Sequence, residues 1–138
     1  MFRSAIVAKE IHGNLDTVRS SSARDGAPRL HPVSPFILQG RLFVATPKTS
    51  PKAHDQLRDG RYVMHMLPGE NDDEFAIRGH AIAITDAETR AMILKDGPHF
   101  VKPHDFYFEY RIESAATTVW ENVGQPGTRP IRQRWSAS

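Results

Sequence analysis

Gly40-Arg41-Leu42-Phe43-Val44-Ala45-Thr46-Pro47-Lys48-Thr49-Ser50-Pro51-Lys52 joins a strand to a helix through a short basic loop. Leu42 to Thr46 is apolar, β-branched and aromatic, the composition of a buried strand. Pro47 ends it. Ser50 is a good helix N-cap and Pro51 suits the first helical position, where its missing N–H is no loss. The sequence predicts a helix from here to about Asp59, closed by Gly60 as a C′ residue.

Upstream, Arg29-Leu30-His31-Pro32-Val33-Ser34-Pro35-Phe36-Ile37-Leu38 meets that strand through the two-residue turn Gln39-Gly40, which predicts a hairpin. Pro32 and Pro35 cannot donate to a ladder, so this strand lies at an edge, is bulged, or turns one side to a ligand. Residues 19–28 are polar and turn-rich, and Asp25-Gly26 signals an earlier hairpin. Downstream, Tyr62 to Leu67 reads as a strand and Pro68 to Asp73 as an acidic turn. Glu74 to Ile84 reads as a long strand with a bulge at Gly79. Thr85-Asp86-Ala87-Glu88 has the form of a capping box, opening a helix to about Lys95 with Ala87, Ala91 and Leu94 on one face. Phe106, Phe108, Tyr110 and Ile112 alternate along a strand from Asp105 to Ala115, and Thr117 to Glu121 forms a last strand. The expectation is a mainly β, antiparallel barrel of six or seven strands with two short helices. One domain spans 1–138, with 1–13 an N-terminal remnant and 122–138 a Gly/Pro/Arg tail, a mobile basic terminus.

The composition is that of a globular protein: 39% hydrophobic and 25% charged residues in 138. No apolar run approaches the roughly 20 residues of a spanning helix, and the short apolar start is no secretory signal, so the expectation is a cytoplasmic protein without a membrane role. The absence of cysteine excludes disulfides, thiolate metal sites and cysteine nucleophiles. A net charge of +2 suits a phosphate-bearing ligand but is too small to argue for nucleic acid. Seven histidines show no metal-ligand spacing. There is no G-x-S-x-G elbow. The core is modest for so many strands, which predicts a homodimer.

Thr46 to Lys52 holds three hydroxyl groups and two ammonium groups at a helix N-terminus, where free N–H groups and the macrodipole favour an anion. The physical reading is a phosphate cradle. Thr46 and Ser50 would donate hydroxyl hydrogen bonds, Lys52 would supply charge, and Arg29 would add a forked contact. The competing reading is a solvated, capped helix whose lysines face water.

Taken in order, Arg29-Leu30-His31-Pro32-Val33, Gly40 to Thr46, Ser50-Pro51-Lys52-Ala53, Gly60-Arg61-Tyr62-Val63 and Phe75 to Ala81 resemble the flavin-binding core of the pyridoxamine 5′-phosphate oxidase-like split barrels. The segment Trp120 to Pro130 is similar to the end of short members. The resemblance implies an oxidoreductase in which bound FMN carries hydride. It implies that Arg29, His31, Pro32, Val33 and Ser34 run along the ring and phosphate side of FMN. Ala45 and Thr46 would contact the phosphate and ring edge, and Ser50 and Lys52 would match a Ser-Arg-Lys phosphate triplet whose middle residue is here Pro51. Glu74 occupies the place of a cofactor-bonding Gln. Trp120 would stack on the cofactor or substrate, or seal a dimer interface. The oxidases' C-terminal Arg-x-His-Asp substrate motif is replaced by Arg129-Pro130-Ile131-Arg132-Gln133-Arg134-Trp135, which implies a substrate other than pyridoxamine phosphate. Related split barrels bind a deazaflavin coenzyme through a similar Ser-x-Lys site, the alternative to FMN. A non-enzymatic flavin- or haem-binding protein is the other alternative. No residue is named as catalytic.

Overall fold

A computed structural model describes residues 17–22, 25, 27–66 and 71–137. The expected N-terminal remnant, and part of the expected Asp25-Gly26 and 68–73 turns, lie outside them. The elements run β1 (Thr17–Ser22), β2 (Pro28–Val33), β3 (Phe36–Leu38), β4 (Arg41–Thr46), α1 (Pro51–Arg58), β5 (Arg61–Met66), β6 (Glu74–Ala83), α2 (Ala87–Asp96), β7 (Phe106–Glu121) and β8 (Arg129–Ser136). All pairings are antiparallel, in the order β2-β1-β5-β6-β7-β4-β3, with β8 added alongside β7.

Strand β7 organises this sheet. One edge pairs with nearly the whole of β6. The other pairs first with β4, from Thr46↔Phe106 to Phe43↔Glu109, and then with β8, from Ser114↔Ser136 to Glu121↔Arg129. The edge is divided at residues 110–113, between the two partners. On that edge the Ala137 N–H donates to the Glu113 carbonyl, while on the opposite, β6 edge the Tyr62 hydroxyl donates to the Arg111 carbonyl at 3.0 Å. This is the antiparallel split-barrel architecture expected from the sequence.

The expected 29–38 strand is two strands, because Ser34-Pro35 interrupts it. Strand β2 pairs only with β1 and stands at one end of the sheet, the edge position its proline requires. The turn after β3 has positive φ at both Gln39 and Gly40, which gives the twist of a tight hairpin. Residues 105–121, expected as two strands, form one, and residues 129–136 of the expected tail form β8.

Alternation along β4 and β7 divides the core. Leu42, Val44, Phe108 and Tyr110 face the larger cluster with Tyr62, Met64, Phe75, Ile77 and Ala53 of α1. Phe43 and Tyr107 face a second cluster with Phe36, Ile84, Val101 and Ile93. Helix α2 covers that second face through Ile93, while Ala87, Ala91 and Leu94 point to solvent. Its docking is fixed by Arg90, which lies over the Tyr107 ring at 4.1 Å and donates to the carbonyls of Pro103 and Asp105. The helix begins one residue later than expected: Asp86, not Thr85, is the N-cap, and its carboxylate accepts from the Thr89 N–H at 2.9 Å.

Two glycines serve close backbone approach. The β6–β7 register shifts between Arg78 and Gly79, as expected, and a Cβ on Gly79 would lie 1.9 Å from the Arg111 carbonyl oxygen. Gly60 is not a left-handed C′ residue; its carbonyl accepts from the Ala81 N–H at 2.7 Å, and a Cβ there would meet the Ala81 oxygen at 2.6 Å. Gly79→Ala should therefore lower stability by about 3 kcal/mol, the upper range for overpacking. Urea unfolding followed by circular dichroism measures it, and a loss under 1 kcal/mol would mean the bulge relaxes freely.

Candidate functional site: the β4–α1 turn and its charged flank

Strand β4 ends at Thr46, which is buried, with Ala45 half-buried beside it. The chain then turns through Pro47-Lys48-Thr49. The Ser50 N–H donates to the Pro47 carbonyl at 3.0 Å, and the Ser50 carbonyl accepts from the Ala53 N–H at 3.0 Å. Ser50 is the N-cap of α1, but its side chain makes no capping hydrogen bond, so the hydroxyl is not spent on the helix. Pro51 at the first position adds no N–H. The first turn of α1 contains no acidic residue. The loop is held from inside the helix: the His54 ring bonds to the Lys48 carbonyl through Nε2 at 2.8 Å and stands edge-on to Phe106. The Lys48 ammonium lies 5.5 Å from the centre of the same Phe106 ring. Lys52, one residue into the helix, is half-buried.

One turn further along α1, Asp55 is buried, 4% exposed. Its Oδ1 accepts from Arg58 Nη2 at 2.7 Å, and Arg29 Nε of β2 lies 3.3 Å from its Oδ2. Burial pushes this carboxyl's pKa up. The Arg58 hydrogen bond and the positive charges of Arg29, Arg58 and His31 outweigh that push, so it sits below the usual carboxylate range. The helix also buries Gln56, whose Oε1 accepts from the Tyr110 hydroxyl at 3.1 Å and whose Nε2 donates to the Asp59 carbonyl. Thus α1 is not attached to the barrel by apolar contact alone. A buried carboxylate and a buried amide fix its rotation, and with it the direction in which Ser50 and Lys52 face.

Strand β2 alternates as an edge strand must. Arg29, His31 and Val33 turn toward α1 and the core, with Val33 in the larger cluster beside Ala53. Pro32 and Ser34 are exposed. The structure therefore brings Arg29 and His31 to the flank of α1, and Ala45, Thr46, Ser50 and Lys52 to its entry. It does not bring Glu74 or Trp120 there. Glu74 opens β6 opposite Thr118, and Trp120 stands opposite Pro130, its backbone N–H donating to Asp73 Oδ1 at 3.4 Å. Thr46 pairs with Phe106, twelve residues before Thr118, so roughly 40 Å of strand separates the two groups within one chain.

The flank carries Lys48, Lys52, Arg29, Arg58 and two histidines against one carboxylate. The helix entry combines cationic side chains, a Ser50 hydroxyl not used in capping and no acidic side chain in the first turn. Sequence reading missed Asp55 and Arg58. Their i,i+3 spacing was the one available signal; the Arg29 contact spans 26 residues of chain and is visible only in the fold. Among the described residues no cluster of three His, Cys, Asp or Glu side chains could hold a metal. No helix there is long and apolar enough to cross a membrane. His65 and His80 do not meet: His80 pairs with Glu113, and His65 lies opposite Ala76.

No protein-family model and no curated protein matches this sequence. Solved structures share its fold. It is similar to a pyridoxinephosphate oxidase family protein related to general stress protein 26, from Clostridium acetobutylicum, at 11% identity, with 96% of each chain covered and a TM-score of 0.66. It is similar to PhzG from Burkholderia lata 383, a structure in complex with tetrahydrophenazine-1-carboxylic acid, at 10% identity over 94% of this chain and 88% of that one, TM-score 0.64. It is also similar to a haem-binding protein from Mycobacterium smegmatis, at 13% identity over 96% of this chain and 58% of that one, TM-score 0.63. These structures and this chain share the split-barrel fold.

Asp55→Asn should cost about 2 kcal/mol, because it leaves two guanidinium groups facing a neutral amide. The sign of the pH dependence follows from the lowered pKa. The wild-type contribution is complete above the unfolded carboxylate value near 4 and is lost as pH falls below it. Urea midpoints between pH 3 and 6 should therefore converge for the two proteins at the acid end. A constant gap would contradict the ion-pair assignment.

Proposed function

We propose that the protein is a flavin-binding split barrel, a homodimeric oxidoreductase in which FMN exchanges hydride with a small molecule. The observation that carries this reading is the β4–α1 turn, where a cationic helix entry offers a Ser50 hydroxyl unused in capping and no carboxylate in its first turn. In this reading Thr46, Ser50 and Lys52 hold the phosphate. Arg29 joins them with its terminal amino groups while Asp55 fixes its Nε side. His31, Val33 and the Pro32-Ser34 backbone line the ring side, and Ala45 meets the ring edge. Bound FMN supplies the hydride chemistry; the chain supplies binding, orientation and shielding from water.

The homodimer is part of the proposal. Since roughly 40 Å of β7 separates Thr46 from Glu74 and Trp120, all the proposed cofactor residues can serve one site only if Glu74 and Trp120 approach the cradle of a second copy. The exposed apolar pair Val119 and Ile131, at the projecting end of β7 and β8, supports such an association. A cytoplasmic location belongs to the same reading.

A deazaflavin coenzyme is the second reading, favoured by Pro51 in place of an arginine and by the Glu74 carboxylate, which would repel a reduced flavin. A haem-binding protein without catalysis is the remaining alternative. The purified protein, mixed with excess FMN and desalted, should retain the two visible bands of oxidised flavin. Lys52→Ala should abolish retention and Ser50→Ala should weaken it several-fold. A colourless wild type would overturn the FMN reading. A single near-violet band after addition of deazaflavin coenzyme, or a red haem spectrum, would assign the alternatives.

A further inference from the structure

On the outward face of the sheet, away from α1 and beside Glu74, β5 to β8 form a cavity of about 300 Å³. Its construction follows from the strand register. Val63 lies opposite Arg78, Arg78 opposite Ser114, and Ser114 opposite Ser136. The next row on the same face is His65, Ala76, Ala116 and Arg134. Residues two apart on a strand share a face, so both rows point the same way. The middle of the patch is small, with Ala76, Ala116 and Ser114. The rims are long, with Val63 and Arg78 on one side and Arg134 on the other. A low floor between tall walls is what makes a sheet surface concave here.

The rims are also cationic; the carboxylates on this face are Glu74, in the row beyond Ala76, and Glu113, which pairs with His80. The ion pairs among the described residues use Arg29, Arg41, Arg58, Arg61, His80 and Arg129, and neither Arg78 nor Arg134 has an acidic partner there. Arg78 is nevertheless held in place: its Nε donates to the Ser114 hydroxyl at 2.8 Å. That bond uses the side of the guanidinium and leaves the terminal amino groups for a forked contact. The Arg134 side chain stands exposed on the opposite rim. Two guanidinium groups facing one small, partly apolar cavity form an anion site whose volume limits the ligand to roughly a single ring, at the lower end of small-molecule pockets.

We infer that the cleft between Arg78 and Arg134 binds a small organic anion: one carboxylate or phosphate group on a compact apolar body. The anion lies between the two guanidinium groups, and its body rests on Ala76, Ala116 and Val63. Arg78 pairs with Ser114, eight residues along β7 from Phe106, the partner of Thr46. The cleft therefore lies roughly 26 Å of strand from the phosphate cradle of its own chain, with Glu74 two residues from its floor. The inference does not depend on flavin binding.

Isothermal titration calorimetry of the protein with benzoate, phenyl phosphate and inorganic phosphate should give saturable binding of at least one ring-bearing anion. Preference for benzoate assigns a carboxylate site, and preference for phenyl phosphate assigns a phosphate site. Arg78→Gln and Arg134→Gln should each raise Kd tenfold or more. Arg134→Lys, which keeps the charge but loses the fork, should raise it several-fold. The substitutions are at exposed positions, and unchanged urea midpoints should show intact folding. Absence of saturable binding, or equal affinity in wild type and Arg134→Gln, would overturn the inference. So would a change of oligomeric mass in Arg78→Gln or Arg134→Gln, since the cleft would then be the seat of a second copy.

Discussion

The structure depends on one continuous strand having three partners. Strand β7 spends one edge on β6 and divides the other between β4 and β8. Because the barrel strand β4 occupies only the first part of that edge, β7 continues past the core as a ribbon with β8. Opposite the division, on the β6 edge, the strand is bulged: Gly79 lets β6 approach the Arg111 carbonyl, and the Tyr62 hydroxyl caps that carbonyl. Burial raises the Tyr62 pKa far above the ordinary phenol value, so the hydroxyl stays a donor across the pH range in which the protein is folded. Most of the proposed chemistry follows from this layout. The cradle lies at one end of β7, Glu74 and Trp120 lie at the other, and the cationic cleft lies between.

The cradle itself rests on a second constraint, the burial of Asp55 under α1. An isolated buried carboxylate would be expensive; with Arg58 and Arg29 on its oxygens it becomes the pin that orients the helix. Gln56 does the same on the neighbouring position through Tyr110. A single buried carboxylate thus orders Arg29 and Arg58 along the flank and fixes the direction of the helix entry.

Features whose chemistry is local were legible in the sequence. The Gln39-Gly40 hairpin, the Ser50-Pro51 helix start and the Gly79 bulge each depend on a few adjacent residues, and each stands where expected. Features set by distant partners were not. Strand β8 is mostly exposed and rich in arginine, so it has no hydrophobic alternation to read; pairing with β7 makes it a strand. The expected strands end at Ala115 and resume at Thr117, yet β6 on one side and β8 on the other carry β7 straight through Ala116. The docking of helix α2 comes from Ile93 and the Arg90 guanidinium over Tyr107, not from the Ala87-Ala91-Leu94 face that the spacing makes visible. In the candidate site, the helix entry was legible; the Asp55 pin and the Arg78–Arg134 cleft arise from strand order and packing.

The central claim is that the cofactor site is divided along β7 and is completed between two copies. Chains carrying Lys52→Ala and Trp120→Ala, each with its own affinity tag, can be co-expressed and purified through both tags. Each homodimer should retain little flavin, and the heterodimer should hold about one flavin per dimer, since one of its two composite sites keeps both native halves. A heterodimer as empty as its parents, or a Trp120→Ala homodimer with full flavin content, would contradict the divided site.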